Sequence, residues 1–161
     1  MPEDLDVRWR RARSWLERVR VAAEGIEPLV REISALEDAR SDMLPWRSRQ
    51  HGAGSGHHGT HSDPTASEAE RRMGELDVLI AERRSRLESL HSVVGECGDV
   101  LRDMGRALSE RHARVIELYY IDCEQTWSDV AYELECDRST VWRLRSDAYS
   151  WIERHHLGIL V

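Results

Sequence analysis

The sequence contains no phenylalanine, no lysine and no asparagine, so all 23 of its basic residues are arginine. Proline is also scarce, with 4 residues in a chain of 161. Together with 40% hydrophobic and 33% charged residues, this composition suits long amphipathic helices better than a sheet with many turns. We therefore predict an all-α fold. The three missing residues share AT-rich codons, so a GC-rich genome explains their absence and arginine usage alone indicates no function.

Cysteines and long apolar runs are few as well. The three cysteines, Cys97, Cys123 and Cys136, form no CxxC pair and leave an odd number, which predicts neither a disulfide framework nor a zinc site. Unpaired cysteines suit a reducing cytoplasm. No apolar run approaches the roughly 20 residues that a membrane-spanning helix needs. We expect a soluble cytoplasmic protein that binds no cofactor.

The formal net charge of −7 excludes one class of nucleic-acid-binding protein. Proteins that coat nucleic acid without regard to sequence use a broad basic surface, so any DNA contact of this chain must be local. One local basic stretch exists, since six arginines and a single acid, Glu17, lie between Arg8 and Arg20. The simpler interpretation is a solvated flank of a coiled coil, and contact with DNA backbone or an acidic partner is the alternative.

Residues 1–40 are predicted to form an N-terminal amphipathic helix. Their apolar residues alternate in steps of four and three, which is a heptad pattern. These residues are Leu5, Trp9, Ala12, Leu16, Val19, Ala23, Ile26, Val30 and Ile33. A proline inside a helix removes a hydrogen bond at a cost of about 3 kcal/mol, so we expect a kink or a restart near Gly25 to Pro28.

Residues 41–67 lose this periodicity and gather glycine, serine, histidine and two prolines, which predicts a flexible linker. Histidine-rich tracts can bind metal ions, and the histidines here are His51, His57, His58 and His61. The glycines leave these imidazoles unorganised, and no cysteine or paired carboxylate completes a ligand set. We therefore predict no metal site in this segment.

A second heptad pattern predicts a long coiled-coil helix over residues 68–108, about 60 Å long at 1.5 Å per residue. Its seam consists of Ala69, Met73, Leu76, Ile80, Arg83, Leu87, Leu90, Val94, Cys97, Leu101, Met104 and Leu108. Arg83 either specifies the register or extends to the surface, and we favour the second interpretation. Neither seam can stay exposed, so the two helices must pack as a hairpin, on a second copy as a homodimer, or both.

Residues 109–161 carry start signals for three short helices. Ser109 and Asp137 are suitable N-caps, and Thr126 and Asp129 have the spacing of a capping box. The predicted inward positions are Val115, Ile116, Leu118, Tyr119, Val130, Ala131, Leu134, Val141, Leu144 and Ala148. Ala131 is the small residue that a helix-turn-helix requires where its two helices cross.

If the third helix buries Val141, Leu144 and Ala148, its opposite face is free to enter a major groove of DNA. The candidate DNA-binding residues are Arg138, Ser139, Thr140, Trp142, Arg143, Arg145 and Ser146. Arg138 and Arg143 are the first choices, because arginine pairs bidentately with guanine. Ser139 and Thr140 are assigned to phosphates, and Trp142 to a thymine methyl or a sugar.

Three of these residues also have a purely structural interpretation. Thr140 can stabilise the start of the helix, Trp142 can pack against the long helices, and Arg145 can be an ordinary surface residue. Trp127 is predicted to lie in the core rather than at the interface.

The run ARVIELYYIDCEQTWSDVAYELECDRSTVWRLRSDA, residues 113–148, resembles region four of bacterial sigma factors. It resembles more closely the phage late-gene transcription regulators of the RinA and ArpU kind, which share the T/S-W-x-x-I/V-A and T-V-x-R-L-x-x-x-A segments. The segment GSGHHGTHSDPTASEAE, residues 54–70, resembles their connector and the helix that follows. The resemblance implies a regulator encoded by a phage or prophage that activates late genes. Its implied partners in the nucleoid of the bacterial host are double-stranded DNA and RNA polymerase.

Two departures from the family pattern predict weak DNA binding. The turn position usually held by glycine is Glu135, where a left-handed conformation costs a non-glycine residue about 1 kcal/mol. The preceding helix carries Asp129 and Glu133, which are acidic. If only the three arginines of the third helix neutralise phosphates, the salt slope is about −2.7, at roughly 0.9 per contact. Dimerisation or docking on polymerase is expected to supply the remaining affinity.

Other classes of function are weighed against this one. No set of histidine, cysteine or carboxylate residues has the spacing of a nucleophile and base or of a closed metal site, so we do not predict an enzyme. A phage DNA-packaging subunit of the small-terminase kind also combines a helix-turn-helix with an oligomerising helical region. A coiled-coil adaptor that uses the same module to contact protein is the third alternative.

Overall fold

The computed structural model describes residues 9–52 and 64–158. In these ranges the chain is all-helical, as predicted. Its helices are α1 (Arg10–Gly52), α2 (Pro64–Ala107), α3 (Glu110–Tyr120), α4 (Trp127–Glu133) and α5 (Arg138–His155). None of the helices in the described ranges has the length and apolar character needed to cross a membrane.

Both long helices extend into the segment predicted to be a linker. α1 continues to Gly52 and α2 begins at Pro64, so the prediction of a flexible linker over residues 41–67 is wrong at both ends. A helix that has already formed gains one backbone hydrogen bond for each residue added, even where apolar periodicity is lost. Proline is well suited to the first turn of a helix, because the N–H that it lacks has no partner there.

α1 also runs without interruption through Pro28, so the predicted restart is wrong, while the kink stays a prediction. The helix buries Leu29 and Ile33 directly after the proline. Burying a side chain of this size contributes about 1.5–3 kcal/mol. Two such side chains offset the roughly 3 kcal/mol that an internal proline costs.

The buried stripe of α1 follows the predicted heptad pattern as far as Val19 and then shifts by one residue. Ala22 is buried where Ala23 was predicted, and Leu29 is buried where Val30 was predicted. Val30 itself is 45% exposed. Ile33 is buried as predicted, so the shift is confined to residues 22–30.

The described residues fall into two compact units. One unit, residues 27–88, contains the distal parts of α1 and α2. Ion pairs between the two helices are Glu32 with Arg83 (2.6 Å), Glu37 with Arg84, and Arg40 with Asp77 (2.6 Å). Because later residues of α1 pair with earlier residues of α2, the helices run antiparallel. The seam residue Arg83 is 31% exposed and ends in an ion pair, and exposed pairs of this kind contribute about 0–1 kcal/mol.

The other unit combines the start of α1 and the end of α2 with α3, α4 and α5. Its larger apolar group, here the long-helix cluster, comprises Trp9, Ala12, Trp15, Leu16, Val19, Cys97, Leu101, Met104, Ile116, Tyr120, Ala148, Tyr149 and Ile152. The smaller group, here the three-helix cluster, comprises Val115, Leu118, Val130, Ala131, Val141 and Leu144. The predicted inward set is confirmed at eight of its ten positions; Tyr119 and Leu134 are half-buried instead, and Tyr120 is buried.

A buried carboxylate holds the start of α1 against α5. Glu153 is 4% exposed, and its Oε1 accepts a hydrogen bond from Ala12 N at 2.9 Å. Nearby, Trp9 Nε1 donates to Ser150 Oγ at 2.9 Å. The first N–H groups of a helix have no partner within the helix, and the helix dipole stabilises a carboxylate placed there. The acceptor that α1 needs is therefore supplied by α5.

Replacing this carboxylate should destabilise the protein. Glu153→Ala leaves the buried Ala12 N–H unpaired, and we expect the free energy of unfolding to fall by about 1–3 kcal/mol, measured by urea denaturation. Glu133→Ala, an exposed change in α4, is the matched control and should shift it by no more than about 0.5 kcal/mol. Equal losses in the two variants would contradict the assigned role of Glu153.

Stability should also fall in alkali because of Cys97. Burial, with a contribution from Glu96 and Glu117, raises the pKa of its thiol from 9.0 to about 12. The unfolded chain loses this proton above pH 9 while the folded chain keeps it, so stability decreases between these two values. The expected contribution is about 1.4 kcal/mol per pH unit. Urea denaturation from about pH 8 to about pH 11 measures the slope, which should be shallower in Cys97→Ala; an unchanged slope would contradict the account.

Candidate nucleic-acid interface

α4 and α5 are joined by a short turn over residues 134–137. Glu135 has a left-handed backbone, with φ of 49°, so this non-glycine residue bears the cost of about 1 kcal/mol expected for that conformation. Cys136 N donates to Ala131 O at 3.0 Å, and Glu135 N donates to Tyr132 O at 3.1 Å. These bonds satisfy the last carbonyls of α4 and set the direction in which α5 begins.

The start of α4 is closed by the predicted capping box. Thr126 Oγ1 accepts a hydrogen bond from Asp129 N at 3.2 Å, and Asp129 Oδ2 accepts one from Thr126 N at 2.8 Å. The carboxylate of Asp129 therefore serves the helix terminus. Ser109 and Asp137 occupy the N-cap positions of α3 and α5, as predicted, but neither side chain accepts a capping hydrogen bond.

The start of α5 presents the residues that the sequence assigns to DNA. Arg138, Ser139, Trp142 and Arg143 are all exposed, and Thr140 is half-buried. At 100° per residue the four exposed positions span about 140° of the helix, and the opposite side packs into the three-helix cluster. In the described part of the chain neither Arg138 nor Arg143 pairs with a carboxylate, so both guanidinium groups are available to a partner. We call these four residues the α5 face.

Ser146 does not belong to this face, and the prediction that it points outward is wrong. It is 8% exposed, and its hydroxyl donates to the backbone oxygen of Trp142 at 2.8 Å, one turn earlier. Helical spacing places Ser146 on the same side as Trp142, but the contacts of the second half of α5 bury it.

Arg145 is likewise not on the α5 face, because it lies over aromatic rings. Its guanidinium is 4.6 Å from the ring centre of Trp127 and 5.8 Å from that of Tyr149. Its Nε is buried and has no hydrogen-bond partner among the described residues. Trp127 in turn stacks on Tyr119, with ring centres 3.9 Å apart. Trp127 is therefore a packing residue, as predicted, and Arg145 joins α5 to the start of α4.

Exposed carboxylates stand close to the α5 face along the chain. Glu133, Glu135 and Asp137 precede it, and Asp147 follows it. Long-range attraction between this region and a phosphate backbone is therefore weak, since charges of both signs are present. Any binding of DNA at this face would therefore depend on short directional hydrogen bonds from Arg138 and Arg143.

The sequence did not show which arginines of α1 serve the fold. Arg20 Nη1 donates to Tyr119 O at 2.9 Å and to Glu124 O at 3.1 Å, and its guanidinium lies 4.4 Å from the ring centre of Tyr119. These contacts hold the loop between α3 and α4. The abundance of arginine between Arg8 and Arg20 was the one feature of the sequence that pointed to such a role. Spacing alone does not show which of these side chains reaches main-chain carbonyls.

Among the described residues, no three histidine, cysteine, aspartate or glutamate side chains are grouped so that they could hold a metal ion. His57, His58 and His61 of the predicted linker lie outside the described residues.

Comparison of the chain with protein-family models, with curated proteins and with solved structures returned no match. The resemblance to sigma region four and to phage late-gene regulators therefore stays a prediction that rests on residues 113–148. A functional assignment depends on the geometry of the α5 face.

Substitutions of Arg143 and Arg145 should differ in their effect on stability. Arg145→Gln removes the contact with Trp127 and should lower the free energy of unfolding by about 1–2 kcal/mol, measured by urea denaturation. Arg143→Gln, which changes an exposed side chain, should alter it by less than about 0.5 kcal/mol. The structural role of Arg145 would be refuted if Arg143→Gln were the more damaging change.

Proposed function

We propose that this protein is a sequence-specific DNA-binding transcription regulator of phage or prophage origin that inserts α5 into the major groove as the recognition helix of a helix-turn-helix. The observation that carries the proposal is the α5 face, where two unpaired arginines, a serine and a tryptophan are exposed directly after a short turn. The opposite side of the same helix is buried. One side of α5 is therefore packed against the rest of the protein, and the opposite side is accessible to a partner.

The chemistry of the α5 face suits the edges of bases. The major groove is about 12 Å wide and accepts an α-helix, and arginine donates two hydrogen bonds to O6 and N7 of guanine. Arg138 and Arg143 take this role, and Ser139 and Thr140 donate to phosphates. Trp142, which is 48% exposed, contacts a thymine methyl or a sugar.

The internal position of Arg145 lowers the expected affinity of one copy. Only Arg138 and Arg143 remain as cations on the α5 face, so even if both neutralised phosphates in place of reading bases, the salt slope would be no steeper than about −1.8, at roughly 0.9 per contact. A contact of this strength needs a second attachment. Linking two modules makes the second contact intramolecular and can raise avidity by about 10²–10⁴.

A homodimer through the long helices supplies that attachment. Within residues 27–88, Val30, Val78 and Leu79 are exposed at 45%, 58% and 36% although these two helices already pack on each other. A second copy would cover these apolar side chains. RNA polymerase is the other proposed partner, and control of late genes, most simply activation, is the proposed outcome.

One observation favours a protein-binding adaptor as the second candidate. Tyr132 of α4 is 83% exposed, and Glu133 and Glu135 are exposed beside it in the sequence. Tyrosine is common where proteins bind one another, and the acidic neighbours suit a basic partner better than DNA.

The proposal is tested by footprinting the full chain on DNA that flanks its own gene, with and without RNA polymerase. We expect a protected segment that is lost in Arg138→Gln/Arg143→Gln, since each arginine–guanine pair contributes about 1–3 kcal/mol to discrimination between bases. Arg102→Gln/Arg106→Gln removes the same charge from exposed positions of α2 and should leave the footprint intact.

Each contrary result points to a different function. Absence of protection under both conditions contradicts DNA recognition and favours the adaptor. Protection that survives Arg138→Gln/Arg143→Gln contradicts the use of α5. Sedimentation of the same sample reports stoichiometry, and a large ring in place of a dimer would favour a DNA-packaging subunit.

A further inference from the structure

The start of α1 is fixed against the second half of the helix whose first half carries the α5 face. Trp9 Nε1 donates to Ser150 Oγ, Ala12 N donates to Glu153 Oε1, and the ring of Trp9 meets that of Tyr149 edge-on at 6.0 Å. All of these contacts lie within one compact unit. The first turns of α1 therefore have a defined place beside α5.

The start of α1 contacts α5 on the same side of that helix as Arg138 and Trp142. Helical spacing brings Tyr149 and Glu153 onto the same side as these two exposed residues, since the four positions are separated by four, seven and four residues. Trp142 precedes Tyr149 by seven residues, which is about 10 Å along the helix axis at 1.5 Å per residue. The major groove is about 8.5 Å deep, and a recognition helix contacts the bases with its first residues. With Trp142 in the groove, the start of α1 therefore lies at the level of the groove's edge, where the phosphates are.

The side of α1 that flanks this contact is basic. Arg10, Arg13, Ser14 and Glu17 line a shallow groove of about 310 Å³ on it. Arg10 is exposed and Arg13 is half-buried. Burial raises the pKa of Tyr149, whereas its hydrogen bond with Tyr120 and the positive charges of Arg145 and Arg13 act in the opposite direction. Arg13 therefore lies on the side of α1 that faces α5.

The remaining exposed arginines of these turns lie elsewhere on the helix. At 100° per residue, Arg11 and Arg18 are centred about 120° away from Arg10 and Arg13. Both are exposed. They provide a pair of equal charge on the same helix that does not flank α5, which makes them a matched control.

The geometry points to a second DNA contact, in which Arg10 and Arg13 of α1 bind the phosphate backbone at the edge of the groove that α5 enters. This inference rests on the proposed function. Phosphate contacts position a protein on the duplex without reading its sequence, so α1 supplies affinity and orientation while the α5 face supplies base preference. These two contacts steepen the salt slope for one copy by about 1.8.

The test measures binding of the full chain to a short mixed-sequence DNA duplex over a series of salt concentrations. Arg10→Gln/Arg13→Gln should make the slope of log affinity against log salt shallower by about 1.8, and Arg10→Gln alone by about 0.9. Each of these two variants should weaken binding by the same factor on duplexes of different sequence. Glu17→Gln removes the carboxylate on the same side and should strengthen binding.

Arg11→Gln/Arg18→Gln is the control and should leave the slope unchanged. A slope change as large in this control as in Arg10→Gln/Arg13→Gln would overturn the inference, and so would an unchanged slope in Arg10→Gln. Thermal unfolding of each variant identifies any loss of fold, and the exposed single change Arg10→Gln keeps the test decisive if Arg13 proves necessary for packing. If the wild-type chain binds no duplex at any salt concentration, this inference fails, whereas the proposed function fails only if footprinting with RNA polymerase also shows no protection. If it binds and Arg10→Gln does not matter, only the inference fails.

Discussion

The position of α5 depends on the hydrogen bond between the buried hydroxyls of Tyr120 and Tyr149, which are 2.7 Å apart. Burial raises the pKa of both phenols, so the pair stays neutral at physiological pH. An unpaired buried hydroxyl would cost about 1–3 kcal/mol, and each tyrosine therefore requires the other. The bond joins α3 to α5 within the long-helix cluster, and the three-helix cluster then places α4 against both helices.

In this arrangement the two halves of α5 have different roles. The first half is buried on one side only and presents Arg138, Trp142 and Arg143 to solvent. The second half is enclosed more fully, because α1 and α2 join α3 against it and even the carboxylate of Glu153 is buried. A helix held firmly at its second half can present its first half with little loss of conformational freedom on binding, which reduces the entropic cost of association.

Much of this architecture could be predicted from local patterns. The capping box of Thr126, the left-handed turn at Glu135 and the apolar positions of α3, α4 and α5 follow from rules that act over a few residues. The candidate site was predicted less completely. Arg145 and Ser146 fall on or near the outward side by helical spacing, but Arg145 lies over Trp127 of α4 and Ser146 is buried. Spacing within one helix contains no information about packing against other helices. The same reason explains why Arg20 was not assigned to the carbonyls of Tyr119 and Glu124.

Local sequence patterns predicted an all-helical chain, the positions at which its short helices begin and an outward side early in α5 that carries arginine and tryptophan, because these depend on hydrophobic periodicity and on the residues preferred at helix starts. Packing between the helices decided which of the predicted outward residues remain exposed. It also decided that α1 passes through Pro28, where burial of Leu29 and Ile33 offsets the lost hydrogen bond. The placement of Arg10 and Arg13 beside α5 likewise depends on packing, since contacts between residues about 140 positions apart determine it.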